Sequence, residues 1–414
     1  MPPRVPRLFA ACLTITALAA CSDGTGPGAG APWAQVAAGD LFTCALAQDG
    51  AAWCWGAAVF GQLGDGNVTA SGRPVPVAGG HTFNVLAAGS DHACGIDPAG
   101  KAWCWGLNDF DELGTTTGSC NATFRFAHCA SEPIAVSGNH AFDSIVVAGY
   151  NSCALTSAGE AWCWGWNDHG QVGSGTVSVI IPTPTLVGGG RVFTSITLDI
   201  SHACGVTAAG GLFCWGSNVH GQLGADTIQT PRCGTGAGFF CTLMPVAAAT
   251  GFQVRNVSAG STHTCIVTVS SDGYCWGSNQ YGVLGNPGTL GGRTPVLVQA
   301  QVPLRRVSSG DDHTCAVAGG GVPVCWGVNT FGQLGQAPAN EACPAFGSAE
   351  ECRNTPAEVT GLPEQVVDIS AGTSHTCALT LSGEIWCWGR GTEGQLGNGA
   401  NTTSAMPVRV TSPR

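Results

Sequence analysis

Cysteine has the most chemistry to offer in this chain: 22 of its 414 residues carry a thiol. Thiols in such numbers can ligate metals, attack as nucleophiles or close disulfides, and their spacing separates these uses. Seven pairs stand ten residues apart, the second member always within Cys-Trp-Gly: Cys44/Cys54, Cys94/Cys104, Cys153/Cys163, Cys204/Cys214, Cys265/Cys275, Cys315/Cys325 and Cys377/Cys387. Three further close pairs are Cys120/Cys129, Cys233/Cys241 and Cys343/Cys352, which leaves Cys12 and Cys21 outside any pair. There is no Cys-x-x-Cys and no Cys–His cluster at zinc spacing. Close, even-numbered pairs in an exported chain read as disulfides, with buried free thiols and metal binding as the alternatives.

Other residue types tempt a chemical reading. His92, His202, His263, His313 and His375 recur two residues before a first cysteine, a pattern that could suggest a ring of metal ligands. Tryptophans flank the second cysteine, as in Trp53/Trp55, Trp103/Trp105, Trp162/Trp164 and Trp386/Trp388, two apart and so on one face of a strand. Asn108, Asn167, Asn218, Asn279 and Asn329 read as turn residues whose side chains bond nearby backbone. Acids such as Asp111 with Glu112 and Glu350 with Glu351 are adjacent in loops and read as solvated surface. No nucleophile elbow, phosphate loop, zincin helix or paired carboxylate motif is present, so no catalytic residue, metal or cofactor is expected.

The elements that hold these residues repeat. An apolar segment ending in Gly, a strand with the first Cys, a Gly-containing turn and a strand with Trp-Cys-Trp-Gly are followed by a loop ending in Gly-Gln-Leu-Gly. A Pro-started strand such as Pro74–Val77 or Pro407–Val410 completes the unit. Residues equally distant from a hairpin turn face each other, so a spacing of ten brings the two cysteines into cross-strand contact. Four strands recurring seven times at about 50 residues cannot each bury their faces alone and must stack. Stacking in a ring gives an all-β, seven-bladed β-propeller, with a linear solenoid as the rival. Ring closure places Pro407–Val410 near Trp33–Ala38.

Gly-x-x-His-Thr-Cys-Ala-Leu followed by Trp-Gly-x-Asn-x-x-Gly-Gln-Leu-Gly resembles the repeat of the regulator of chromosome condensation family, over residues 34–411. Departures are Phe42, Ala58, Asn151, Gly282-Val283-Leu284-Gly285 and Gly391. The resemblance implies a seven-bladed propeller whose histidines and tryptophans belong to the blades. It sets metal binding and light sensing aside for those positions. It also carries the family's founding activity, nucleotide exchange on a small GTPase with chromatin attachment, as an alternative function.

Three loops depart from the repeat. Spacings between successive first cysteines are 50, 59, 51, 61, 50 and 62, so every second repeat is longer, and each extension holds one of the three extra cysteine pairs. All three lie between Leu-Gly and the Pro strand, hence on one face of the disk. They carry Phe124, Phe126, Phe239, Phe240 and Phe346, the candidate binding residues. Inserted loops on one face of a repeat protein are often its binding surface, and clipping them lowers the entropy lost on binding. Protection from proteolysis is the competing role.

The start of the chain reads as a processing segment. Arg4 and Arg7 precede an apolar core, Leu8 to Ala20, too short to span a bilayer as a mature helix, and Leu18-Ala19-Ala20-Cys21 resembles a bacterial lipobox. The expected division is therefore 1–21 signal with Cys21 lipidated, 22–32 flexible Gly/Pro linker, and 33–414 propeller. Without Arg4 and Arg7, 13 of the 15 basic residues face 26 acidic ones, which disfavours nucleic acid and anionic lipid beyond the anchor. The reading is a monomeric cell-envelope module, in the outer membrane or periplasm-facing and otherwise secreted, that binds a protein partner. An envelope enzyme acting on glycans is the second alternative.

Overall fold

Residues 32–120, 128–176, 178–225, 232–233, 238–288, 290–336, 341–343 and 351–412 are described by a computed structural model. Seven antiparallel sheets follow one another along the chain: residues 33–76, 85–135, 142–186, 195–248, 254–297, 304–358 and 366–409, blades 1 to 7. Within each, four strands run in sequence order from an inner strand at the central channel to an outer one. The all-β seven-bladed propeller expected from the repeat is what the chain forms. Blades 4 and 6 gain a fifth, two-residue strand, Arg232–Cys233 and Glu341–Ala342, donated by their inserted loops. No helix among the described residues is long and apolar enough to cross a membrane.

Twenty cysteines close as ten disulfides in the pairs expected. The seven repeat pairs are Cys44–Cys54, Cys94–Cys104, Cys153–Cys163, Cys204–Cys214, Cys265–Cys275, Cys315–Cys325 and Cys377–Cys387. The three loop pairs are Cys120–Cys129, Cys233–Cys241 and Cys343–Cys352. In every repeat pair the two cysteines are direct cross-strand partners, tying the second strand to the third. Their Cα atoms lie 4.0–4.1 Å apart. Each loop of about ten residues so closed contributes roughly 2–3 kcal/mol on the chain-entropy account.

The hairpin reading covers only one edge of the strand that carries the second cysteine. On its other edge the ladder to the outer strand is irregular, and the irregularity starts at the cysteine. Between Cys54↔Val75 and Gly56↔Ser71 the third strand advances two residues while the outer strand advances four. The same shift begins at Cys104, Cys163, Cys214, Cys275, Cys325 and Cys387 in the other blades. The bulge also corrects the placement of the prolines. They do not start the outer strands; they sit inside them, as Pro74 does in Ser71–Pro76 and Pro407 in Ser404–Arg409. Pro74 ends the bulge, where its missing N–H breaks no ladder bond.

Blades are joined by one bond used seven times. The second tryptophan of each Trp-Cys-Trp, or its equivalent, is fully buried and donates Nε1–H to a backbone carbonyl in the preceding blade, at the Gln position of Gly-Gln-Leu-Gly. The bonds are Trp105 to Gln62 O, Trp164 to Glu112 O, Trp215 to Gln171 O, Trp276 to Gln222 O, Trp326 to Val283 O, Trp388 to Gln333 O and Trp55 to Gln395 O, all 2.7–3.0 Å. The last of these closes the ring. The glycine that ends the motif lies against the same indole: at Gly224, φ is +63° and a Cβ would fall 2.6 Å from Trp276 Nε1.

A second latch uses the histidines. Nε2 of His92, His202, His263, His313 and His375 lies 2.8–3.0 Å from the hydroxyl of Ser152, Thr264, Thr314, Thr376 and Thr43 in the next blade. Each hydroxyl in turn donates to the carbonyl that the tryptophan uses, as Thr264 Oγ1 does to Gln222 O at 2.8 Å. A carbonyl can only accept, so the hydroxyl proton goes there and the imidazole must donate through Nε2–H. Burial holds four of these histidines at a pKa of about 3 and His375 at about 4. Each therefore contributes stability that is present above about pH 6.5 and is lost as pH falls through the folded value.

The ring closes without strand exchange, since blade 1 and blade 7 are each built from consecutive residues. Trp33 and Val410 meet in one apolar cluster, as closure requires. Two of the seven seams lack the histidine latch, and both partners are missing together. Where blade 2 has Ala93 in place of the hydroxyl, blade 1 has Phe42, buried with it. Where blade 4 has Ala203, blade 3 has Asn151, which turns Nδ2 to Trp164 O and Trp166 O and leaves Oδ1 buried without a partner.

Asn151→His alone places a buried imidazole opposite Ala203 and is expected to cost about 1–3 kcal/mol. Adding Ala203→Thr completes the latch, and urea unfolding of all four combinations should give a favourable coupling of about 1 kcal/mol. Additive effects would show that the two positions do not meet across the seam.

Candidate functional site

Strand register decides which loops share a face. In blade 1, Phe42 pairs with Gly56, and Ala57 N donates to Leu41 O. The turn after the inner strand and the loop after the third strand therefore emerge on the same side. The clips Cys120–Cys129, Cys233–Cys241 and Cys343–Cys352 belong to those third-strand loops, so blades 2, 4 and 6 each raise one on that side. Of the aromatic residues expected to bind, Phe124, Phe126 and Phe346 lie outside the described residues. Phe239 and Phe240 open the outer strand of blade 4, Phe239–Ala248. Phe240 is 44% exposed, whereas Phe239 is half-buried and stacks on His169 of blade 3 at 4.1 Å. Lipidation at Cys21 also falls outside the described residues.

The same face holds the mouth of the central channel, a cavity of about 360 Å³ lined by the inner strands of all seven blades. Asp40, Asp199 and Asp311 stand there, at the ends of those strands, with Asp91 beside them. Burial raises all four, and repulsion from neighbouring aspartates adds to it at Asp91, Asp199 and Asp311: Asp91 to about 6, Asp311 to about 7, Asp40 above its usual value and Asp199 well above it. Thr373 donates to Asp40 Oδ1 at 2.5 Å, and Gln62 Nε2 to Asp91 Oδ1 at 3.1 Å. Sequence reasoning missed this mouth. Its signal is an acid at the end of the inner-strand segment, as in Gly39-Asp40 and Gly310-Asp311-Asp312.

The recurrent asparagines behave as turn residues: Oδ1 of Asn108, Asn167, Asn218, Asn279 and Asn329 accepts the backbone N–H five residues on, at 2.8–3.0 Å. The reading of Glu112 as solvated surface is wrong. Glu112 stands in the Gln position of the blade 2 loop, so its side chain points inward and is fully buried. Its Oε2 accepts Phe110 N at 2.8 Å, as the glutamines of other blades do with Oε1, while its Oε1 finds no partner. Burial first, then the nearby Asp109 and Asp111, push its pKa to about 8. Each latch histidine bonds its own hydroxyl a blade away from the next, and among the described residues no three His, Cys, Asp or Glu side chains converge as metal ligands.

Two profiles described as the regulator of chromosome condensation (RCC1) repeat match the chain. One covers residues 33–62, 86–112, 134–171, 200–222, 254–283 and 366–395; the other covers 158–206, 273–317, 325–379 and 382–414. The chain belongs to the RCC1 repeat family. Ultraviolet-B receptor UVR8 of Arabidopsis thaliana is 30% identical over 66% of this chain and 59% of its own length. Human E3 ubiquitin-protein ligase HERC2 is 28% identical over 63% of this chain but 5% of itself, and human RCC1-like G exchanging factor-like protein 27% identical over 64% and 44%. The chain thus spans less than two thirds of these relatives. Yeast RCC1 (Prp20), solved bound to Kap60, superposes with a TM-score of 0.73 at 21% identity, over 86% of this chain and 83% of that one. This last likeness shows the RCC1-type fold alone.

Glu112 yields a pH prediction. A carboxyl whose folded pKa is about 8 against an ordinary value of 4.5 loses the protein stability progressively as pH rises between those values. Glu112→Gln restores the repeat's amide and is expected to raise stability by roughly 1–3 kcal/mol at pH 8 and far less at pH 5, by urea unfolding. An equal gain at both pH values would refute the buried-carboxyl account.

Proposed function

We propose that this RCC1-type propeller is a cell-envelope binding module that grips a protein partner through the face bearing the three clipped loops. The observation that carries the reading is the placement of Cys120–Cys129, Cys233–Cys241 and Cys343–Cys352 on alternate blades of one face. These disulfides pack against their blades, as Cys343 and Cys352 do with Val328, and they also remove from the loops conformational freedom that binding would otherwise cost. Ten disulfides support an oxidising, exported location, with Cys21 as the lipid anchor. A relative points the same way: yeast RCC1 (Prp20) is described in complex with Kap60 and by its binding to Gsp1p and histones.

The name RCC1-like G exchanging factor-like protein favours a second reading, exchange on a nucleotide-binding partner. It fits poorly with a disulfide-bonded chain of net charge −11.

Both readings separate in one experiment. The full chain and a form with the 115–131, 226–243 and 337–354 loops shortened are tethered and exposed to envelope extract. Retention of one partner by the full chain, lost on shortening, is the expected result. Equal retention by both forms would place binding elsewhere on the ring. Nucleotide-dependent release of a retained GTPase would establish exchange instead.

A further inference from the structure

Beyond the proposed loops, the same face carries an aromatic run that the repeat does not explain. Phe110 of blade 2 lies 4.9 Å from Tyr150 and 5.8 Å from Trp166 of blade 3. Tyr150 meets Trp166 edge-on at 6.1 Å, Trp166 meets His169 at 4.9 Å, and His169 stacks on Phe239 of blade 4. All five are half-buried, unlike the seven fully buried tryptophans that join the blades. An aromatic or His at the Phe110 position recurs in six of the seven repeats, but the equivalents of Trp166 are Ala57, Leu107, Ser217, Ser278, Val328 and Arg390. Those of Tyr150 are Leu41, Asp91, Ser201, Thr262, Asp312 and Ser374. Neither Trp166 Nε1 nor Tyr150 Oη makes a hydrogen bond among the described residues, unlike the indole of Trp164, which donates to Glu112 O.

The run is bordered by acids. Tyr150 is raised above its ordinary pKa by burial and then by Asp91, Asp40, Glu112 and Asp109. Among these acids, Glu112 is fully buried and its Oε1 is unpartnered. The basic group in contact here is His128, 3.6 Å from Asp109, and the two arginine ion pairs among the described residues, Arg306–Asp368 and Arg409–Glu384, lie elsewhere. The molecule itself shows what suits this geometry. At the seam of blades 6 and 7, the residues equivalent to Phe110 and Trp166 are Phe331 and Arg390, and the Arg390 guanidinium sits over the Phe331 ring at 5.5 Å. At the seam of blades 2 and 3 that cation is absent, a second aromatic takes its place and the acids remain.

We infer that Phe110, Tyr150 and Trp166, with Asp91 and Asp109, form the anchor subsite for an arginine side chain of the protein partner. A guanidinium is planar and weakly hydrated; it stacks on indole and phenol faces while its edges bond carboxylates. An acidic molecule also steers such a partner toward it. This inference rests on the partner-binding reading and names one contact within it.

The test uses a fluorescein-labelled Arg-Gly repeat peptide and its citrulline counterpart, which keeps the shape without the charge, titrated against the full chain in zwitterionic detergent. Saturable binding of the arginine peptide is expected, with the citrulline peptide about tenfold weaker or worse. Trp166→Leu should weaken the arginine peptide by about tenfold at unchanged melting temperature, and Phe331→Leu on the far side should not. Asp91→Asn should flatten the salt dependence. Absence of saturable binding up to millimolar peptide, equal binding of citrulline, or full binding by Trp166→Leu overturns the subsite. Partner capture keeps the two readings apart. If Trp166→Leu retains the partner that loop shortening loses, the loop-face function stands and the arginine anchor falls; if both forms retain it, both fall.

Discussion

One hydrogen bond sets the architecture: an indole N–H in each blade meeting the backbone carbonyl at the Gln position of the blade before it. The bond is buried, and an unmade donor there would cost on the order of 1–3 kcal/mol at every seam. It explains why the repeat spells Trp-Gly and Gly-Gln-Leu-Gly rather than merely being apolar. The indole must reach a carbonyl, and the carbonyl must be presented by a turn whose closing glycine can lie flat against the ring. At Gly224 both the positive φ and the 2.6 Å approach to Trp276 exclude a side chain. Because Trp55 repeats the bond to Gln395, the first blade closes on the last as any other pair does, and no strand need be shared between the chain ends.

Disulfides act on a different scale. Each repeat pair ties the two middle strands of one blade and never bridges two blades. Covalent bonds therefore stabilise the unit, while hydrogen bonds and apolar contact stabilise the ring. With only 10% charged residues and three ion pairs among the described residues, surface electrostatics contributes little to either. The charge that matters is the acid left at the channel mouth, where burial makes ionisation unfavourable rather than supportive.

Much of this was legible in the residues alone, for a physical reason. Period, cysteine spacing and turn glycines are local properties, and they report local geometry: the hairpin, its disulfide and the four-strand unit. What escaped depends on longer-range pairing and on contacts between repeats. The spacing of ten fixes how Cys94 meets Cys104, but it says nothing of the bulge that opens at Cys104 on the strand's other edge. A proline cannot donate to a ladder, which suits a strand start, but the bulge satisfies the same constraint from inside the strand. The burial of Glu112 follows from its alignment with glutamines whose side chains point inward, not from its being an acid in a loop. The His–hydroxyl latch was visible only by comparing one repeat's His position with the next repeat's Thr position, where Phe42 goes with Ala93 and Asn151 with Ala203.

That comparison separates two kinds of departure from the repeat. Phe42 with Ala93 is compensated: a large ring replaces an imidazole where the opposite hydroxyl has become a methyl, and the seam stays packed. Asn151 with Ala203 is compensated in part, since its amide finds two carbonyls within its own blade. Trp166 and Tyr150 are different. They replace mostly small or polar residues, stay half-buried, and gather on the face that carries the clipped loops. A compensated departure preserves the fold and needs no further cause. An uncompensated one leaves apolar area half in water, a cost that folding alone does not recover and that a bound side chain would.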